Sequence, residues 1–359
     1  FRTIIIWYSF KKGCSEVCVG KNMIEIESFI DLHTHTRYPD RNEFEPEEIE
    51  KASVNGGYSE ILAMPNSNIV IDSISNLKKA TKIDKNLEVN VHRVGALTQG
   101  LEGKKLVNFK EFINEGIFIF SDDGMSLVDN ELAEIAFKKL ASLGGAIFQH
   151  CEKNCHINPG DLAPPNNDSK LITINEDEEV VILSRDLKLV EKYNTRYHVQ
   201  HISTKKSMDL INKAKEKNLP VTCEVTPHHL LLNNEDLDIS DGTFKMYPPI
   251  RDEKDRLSLV EGLKSGIIDV IATDHAPHPK ENKKINFKNS SRGVVGLESS
   301  FPMLYSSKLF SLDELNKFLT VNPRKILKDL GYNLKSIKIN KWKECNKEFE
   351  TRTKYNNSA

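Results

Sequence analysis

The sequence predicts an α/β fold, a (β/α)8 barrel of the TIM type, on three observations. Eight β-rich runs are separated mostly by segments of helical period. Most of these runs are continuously apolar rather than alternating, as parallel strands covered on both faces must be. Histidines and aspartates stand at the carboxyl ends of several runs, on the face where such a barrel carries its chemistry. An open doubly wound sheet built from the same elements is the competing topology.

The first run is Phe29–His33, followed by helical period over Glu47–Asn55. Glu60–Met64 and Val89–Ala96 are the second and third runs. Ile117–Ser121 precedes helical Asn130–Ser142, and Ala146–His150 precedes Glu178–Tyr193. Tyr197–His201 leads to Lys205–Glu216, and Pro220–Val225 to Asp255–Ser265. Ile268–Thr273 is the eighth run. Asn158–Thr173, rich in Pro, Asn and Asp, predicts a long loop after the fifth run. Pro277–Ser291, with its Lys and Asn, predicts a mobile surface loop after the eighth. The tail Lys341–Ala359 is polar and without period, and predicts disorder.

Lys and Arg number 50 against 52 Asp and Glu in 359 residues, a net charge of -2. That balance argues against a nucleic-acid or anionic-membrane surface as the main business. No apolar run has the length of a membrane span. Phe1–Phe10 lacks the order and cleavage site of a signal peptide. Six cysteines with no C-x-x-C pair predict a reducing, cytoplasmic setting. The chain opens without Met, which points to a fragment or a misread start, with Met23 as an alternative start.

The strongest local signal is Asp31-Leu-His33-Thr-His35-Thr-Arg37. Strand alternation puts His33 and His35 on one face, able to grip one ion together. Two surface histidines by accident is the bland alternative, and the position at a strand end weighs against it. His150 and His201 end their own runs, Asp274 follows the eighth, and Asp122-Asp123-Gly124 follows the fourth. One histidine at a strand end is usually a satisfied polar group; four with two carboxylates at one barrel mouth are not explained by packing. Imidazole with carboxylate suits Zn²⁺, with Mn²⁺ or Co²⁺ as substitutes. Six ligands exceed one tetrahedral ion, so two metals sharing a carboxylate and a hydroxide are the simplest reading.

The strings DLHTHTR (31–37), MPN (64–66), SDDG (121–124), QHCE (149–152), HVQHIST (198–204), EVTPHHLLL (224–232), PPIR (248–251) and ATDHAPH (272–278) resemble dihydroorotase. The resemblance is closest to the bacterial class I branch of the amidohydrolase superfamily and covers Asp31 to Leu327. It implies a binuclear zinc site, with His33, His35 and Asp274 on the more buried ion. Asp123 would bridge, and His150 and His201 would hold the second ion. Asp123 is preferred to Asp122 because its distance to His150 fits the family pattern. Relatives that bridge with a carboxylated lysine differ here, where the Asp-Asp-Gly string offers a carboxylate directly. Arg37 would pair with the substrate carboxylate through its planar fork. Asn66 and His278 would complete that pocket, and the backbone around Gly293 would contact the ring. Tyr247 departs from the Asn that many class I members carry before Pro-Pro, which bears on ring recognition.

The implied reaction is the interconversion of N-carbamoyl-L-aspartate and L-dihydroorotate in pyrimidine synthesis, with Asp274 as general acid and base beside a bridging hydroxide. A hydantoinase- or allantoinase-like cyclic-amide hydrolase is the second reading, and a non-catalytic partner of aspartate transcarbamoylase the third. The six retained ligands weigh against the third. A homodimer and an aspartate transcarbamoylase partner are both open to an active chain.

Relatives also carry a small β-sandwich built from both termini. Here no Pro-Gly precedes the first run and no series of short strands follows Leu330, so the sandwich is expected to be incomplete. The division expected is an N-terminal segment of that subdomain (1–28), the barrel (29–330) and a disordered or truncated tail (331–359). Of the remaining candidates, His228 and His229 divide between structural and functional roles. His275 is expected to support rather than ligate, His92 and His198 to be core or supporting groups, and Cys151 to be an inert buried thiol. Lys280–Lys288 reads as a solvated loop, with a lid as the alternative.

Overall fold

The computed structural model describes residues 5–8, 23–39, 45–154, 160–164, 168, 170–240 and 242–345. Its strands are β1 (Ile5–Tyr8), β2 (Met23–Glu27), β3 (Phe29–Thr34), β4 (Tyr58–Ala63), β5 (Asn90–Arg93) and β6 (Gly95–Ala96). They continue as β7 (Ile119–Ser121), β8 (Ala146–Gln149), β9 (Arg196–Val199), β10 (Val221–Val225), β11 (Val270–Ile271) and β12 (Ile339–Cys345). The eight predicted runs correspond to β3–β11, the third being interrupted at Val94 into β5 and β6.

Pairing is parallel throughout β3-β4-β5 and β6-β7-β8-β9-β10-β11. The first group passes into the second through Val94, whose N–H donates to Ala63 O at 3.0 Å. Between the ends of the series, Thr34 pairs in parallel with His275, and His35 N–H donates to His275 O at 2.8 Å. The Asp31 carboxylate reinforces this seam, accepting from Thr273 N–H at 2.8 Å and Thr273 Oγ1 at 2.5 Å. The strands thus form the predicted barrel, not an open sheet.

Helices at 46–55, 74–84, 130–143, 177–193, 205–216 and 253–265 cover the outside. Their ends follow local chemistry. Thr204 caps the 205–216 helix by accepting from Ser207 N–H, and Gly144, in the left-handed region at φ 74°, ends the 130–143 helix. Two apolar layers result. Ile30, Leu32, Leu62, Val94, Ile119, Phe148 and Val270 fill the interior above Leu327 and Leu330. A larger layer between strands and helices includes Phe120, Phe137, Tyr197, Leu259 and Phe301.

Two expectations are corrected. Residues 339–345, placed largely in a disordered tail, form β12, the central strand of an antiparallel sheet ordered β1-β12-β2. The strand exists because β1 and β2 supply its backbone partners, and Trp342 is buried against Phe301 with ring centroids 4.9 Å apart. The expected loop at 277–291 does lie at the surface, but Lys283, Phe287 and Ser290 anchor it by burial. It holds short helical turns at 280–283 and 287–289, and Lys283 is fully buried, donating to Lys245 O and Ser291 O at 2.9 and 2.8 Å. Residues 346–359, most of 1–22 and parts of the loop after β8 lie outside the described residues.

Candidate metal centre

At the end of β3 the pairing register with β4 shifts between Asp31 and Thr34. Just there His33 and His35 come together, their ring centroids 5.2 Å apart. His201 stacks on the other side of His33 at 5.1 Å, and His150 meets His201 edge-on at 4.6 Å. All four are buried. His150 and His201 follow the last residues of β8 and β9, so the barrel's parallel register delivers them to the same mouth.

Asp123 stands at the centre of this group. Its Oδ1 is 3.3 Å from His33 Nε2 and 3.8 Å from both His150 Nδ1 and His201 Nε2, and its Oδ2 is 3.3 Å from His35 Nε2. Two sets of mutually close donors result, His33–His35–Asp123 and Asp123–His150–His201. Asp274 closes the ring of ligand atoms, with Oδ1 2.9 Å from His35 Nε2 and 3.5 Å from His33 Nε2. The neighbouring Asp122 is turned away. It accepts from Leu97 N–H, Thr98 N–H and Thr98 Oγ1 at 2.8, 2.9 and 2.5 Å.

This donor set fits cations. Asp123 Oδ1 is buried without a hydrogen-bond partner, and its histidine neighbours lie beyond ordinary hydrogen-bond length. The nitrogens of His150 and His201 face each other at 2.8 Å, an arrangement natural to two ligands aimed at one centre. Burial, the largest single influence, pushes the Asp123 and Asp274 carboxyls upward, yet His33, His35 and His201 together outweigh it and hold both well below the usual range. Buried carboxylates can stay ionised here only with positive charge among them.

Residues that sequence reasoning passed over orient these ligands. Glu224, fully buried on β10, accepts from His33 Nδ1 at 2.5 Å and meets His198 Nε2 at 3.0 Å. A lone acid inside an apolar strand was the available signal, since a buried charge needs partners. Glu152 Oε2 lies 3.0 Å from His150 Nε2, and Asn66, read from the sequence as a substrate contact, accepts through Oδ1 from His35 Nδ1 at 2.8 Å. Such outer partners set the tautomer of a ligating imidazole.

A cavity of about 290 Å³ opens above the centre, and Arg37, Asn66, His278, Gly293, Tyr247 and Arg292 are among its walls. Arg37 has a left-handed backbone, φ 62°, between two anchored neighbours. Thr36 Oγ1 accepts from Arg93, and Tyr38 donates to Asp84, which in turn pairs with Arg93 at 2.7 Å. Gly293 is at φ 119°, and a Cβ there would lie 2.6 Å from Ala276 Cβ, so only glycine fits. Its own N–H donates to Lys245 O at 2.9 Å. His278 Nε2 donates to Arg292 O at 2.6 Å, and burial, with Arg37 beside it, pushes its imidazole down to about 3.

The other candidates fall into supporting places. His275 lends its carbonyl to His35, while His229 is held by Thr226 and Pro248 O. His228 is buried in the same wall as His229, their rings 4.7 Å apart. His198 sits on Glu224, and His92 on Glu60. Cys151 is buried, and burial pushes its thiol well up.

Comparison with known proteins bears on this geometry. A family model described as dihydro-orotase-like matches residues 22–207. A dihydroorotase of Staphylococcus epidermidis is 36% identical over 349 residues, covering 93% of this chain and 82% of the relative. One of Brevibacillus brevis is 39% identical over 311 residues, covering 83% and 72%. Among solved structures, the L-hydantoinase of Arthrobacter aurescens aligns at TM-score 0.71 with 23% identity, over 85% of this chain and 71% of that one. Dihydroorotase of Saccharomyces cerevisiae, in complex with 5-fluoroorotic acid, aligns at 0.69 with 18% identity, over 87% and 86%. At these identities the structural likenesses speak for the fold alone.

Proposed function

Because this chain belongs to the dihydroorotase family, we propose that its barrel mouth holds two zinc ions and interconverts N-carbamoyl-L-aspartate and L-dihydroorotate through the residues described above. The activity is that of a metal-dependent cyclic amidohydrolase, a step of pyrimidine synthesis. The zinc, its count and the role of each residue are the proposal. The observation that carries it is the Asp123 carboxylate standing between His33 and His35 on one side and His150 and His201 on the other.

His33, His35 and Asp274 would hold one ion, His150 and His201 the second, and Asp123 both. When bound, the ions supply positive charge that polarises the scissile carbonyl and lowers the pKa of the attacking water. In hydrolysis, water oxygen adds to the ring amide carbon, the C–N bond breaks and the ring nitrogen leaves with a proton. Asp274 lines the cavity and is only 6% exposed. Its carboxylate takes the proton from water and delivers it to that nitrogen. In cyclisation the same group removes the ureido proton. Arg37 receives the substrate carboxylate in its guanidinium fork, with Asn66 and His278 beside it and the backbone near Gly293 bordering the ring. No helix among the described residues is long and apolar enough to cross a membrane. A cytoplasmic setting, a homodimer and an aspartate transcarbamoylase partner belong to the proposal on family membership alone.

The test is zinc per chain by elemental analysis, paired with L-dihydroorotate hydrolysis followed by loss of ultraviolet absorbance. About two zincs with turnover abolished by a chelator is the expected result. Asp274→Asn is expected to keep its metal and lose turnover by a factor of about 100 or more. Near-normal turnover in that variant would remove Asp274 from the proton path.

A further inference from the structure

Arg37 carries a left-handed backbone at φ 62°, and Tyr38 N–H donates to Thr36 O at 2.8 Å across it. A three-residue turn with positive φ at its centre is the rare, strained form. Such a conformation persists only where the surroundings over-determine it, and it gathers at working sites. The candidate ligands His201 and Asp274 share the trait, at φ 28° and 48°. Arg37 is instead a cavity wall with no place among the ligands, and what holds its turn is a buried ion pair that does not line the cavity.

Arg93 closes β5 and Asp84 closes the 74–84 helix. The Arg93 guanidinium grips Asp84 in a fork, Nε donating to Oδ2 at 2.9 Å and Nη2 to Oδ1 at 2.7 Å. Its third nitrogen, Nη1, donates to Thr36 Oγ1 at 3.1 Å, and its Cζ lies 4.7 Å from the Tyr38 ring centroid. The Tyr38 hydroxyl completes the circuit by donating to Asp84 Oδ1 at 2.8 Å. Thr36, Tyr38 and Arg93 are each 1% exposed. One pair therefore holds the residue on either side of Arg37, and only a planar fork with three nitrogens serves carboxylate and hydroxyl at once. Apolar residues of similar volume often replace such a buried pair with no loss of stability, so stability alone gives it little reason to be there.

We propose that Arg93, seated on Asp84, is a positioning residue for Arg37: it fixes the strained turn and so presents the Arg37 guanidinium preformed to the substrate carboxylate. The proposal rests on the dihydroorotase reading, in which Arg37 receives that carboxylate. Arg93 touches no substrate and acts through Thr36 and Tyr38. Preorganising a binding group removes the cost of ordering it when substrate arrives. The carboxylate stands apart from the bond that breaks, so bound substrate and transition state share the gain, which falls on KM rather than on kcat.

The test is made on the metal-loaded full chain, well below each variant's Tm. Wild-type hydrolysis of L-dihydroorotate is measured first; its absence in a folded, metal-loaded protein would sink the functional reading itself. Thr36→Val combined with Tyr38→Phe keeps both shapes and cuts both hydrogen-bonded links to the pair. With wild-type turnover in hand, this double variant is expected to raise KM for L-dihydroorotate and for N-carbamoyl-L-aspartate roughly 5- to 50-fold, the range of two hydrogen bonds. Its kcat should stay within about threefold of wild type, with zinc content unchanged. Thr36→Ser, which keeps the oxygen that Arg93 needs, should stay within about twofold of wild-type KM, whereas Thr36→Val alone should not. A KM within about twofold in the double variant would overturn the positioning role while leaving the dihydroorotase reading intact. Loss of kcat or zinc in step with KM, or a Thr36→Ser as impaired as Thr36→Val, would overturn it too, by showing that these side chains only pack.

Discussion

Glu224 Oε1 lies 2.5 Å from His33 Nδ1, joining β10 to the end of β3 across 191 residues of sequence. The same carboxylate accepts from His201 N–H at 3.2 Å and reaches His198 with its second oxygen. Two candidate ligands from different strands therefore share one anchor. With its Nδ1 proton committed to Glu224, His33 presents Nε2 toward Asp123 and Asp274.

Removing that anchor should loosen the metal. Glu224→Ala is expected to weaken zinc binding about 10- to 100-fold, because His33 loses its tautomer and orientation. A competition titration against a chelator of known affinity reads the change. Unchanged affinity would mean that the barrel alone orients His33.

Adjacent aspartates should fail in opposite ways. Asp122→Ala strands three donors, Leu97 N–H, Thr98 N–H and Thr98 Oγ1. It should cost about 3 kcal/mol of stability while zinc is retained. Asp123→Ala should lose zinc and turnover while the metal-free protein largely keeps its Tm, since Oδ1 has no hydrogen-bond partner and Oδ2 lies 3.3 Å from His35 Nε2, beyond ordinary hydrogen-bond length. The reverse pattern in paired melting and elemental analysis would exchange the two assignments.

Acid should weaken the fold through His228. Burial pushes its imidazole down to about 4, from an ordinary value near 6.5. The folded chain then binds fewer protons than the unfolded one across that window. Its contribution is complete above pH 6.5 and is lost as pH falls toward 4. Between pH 7 and pH 5 the loss amounts to about 2 kcal/mol. In urea unfolding at the two pH values, His228→Gln should lose less stability than wild type by about that amount. Equal losses would show that His228 does not titrate in this window.

The small sheet should matter to stability and not to chemistry. Trp342 is 1% exposed and packs on Phe301, and its strand pairs with both β1 and β2. Trp342→Ala should cost about 3–5 kcal/mol, read as a lower urea midpoint. Well below its Tm, kcat/KM should stay near wild type, because the cavity is formed by other residues. A large loss of kcat/KM in a fully folded variant would show the sheet coupled to the barrel mouth.

The barrel strands were legible because their signal is local. A continuous apolar run bounded by polar residues reads the same in any context, and β3–β11 lie where such runs occur. The candidate ligands were legible for a related reason. A histidine or aspartate closing such a run, as His150, His201 and Asp274 do, is carried to the barrel mouth by parallel register. Lys283 illustrates the opposite case. In a Lys- and Asn-rich segment it reads as solvated, yet it is buried and donates to the distant carbonyl of Lys245 and to that of Ser291.

What the sequence determined by itself is the barrel, the set of strand ends that carry chemistry and the kind of group that can sit there. Those follow from periodicity and residue type, which need no knowledge of distant neighbours. The tertiary structure decided what depends on partners. Asp123 faces the histidines because Asp122 is taken by the backbone at 97–98. Residues 339–345 became a strand because β1 and β2 offered hydrogen bonds to a polar segment with no period of its own. Glu224 became an anchor because β10 runs within reach of β3's end. In each case a local pattern was neutral, and the free energy of pairing a buried polar group with a distant one settled the outcome.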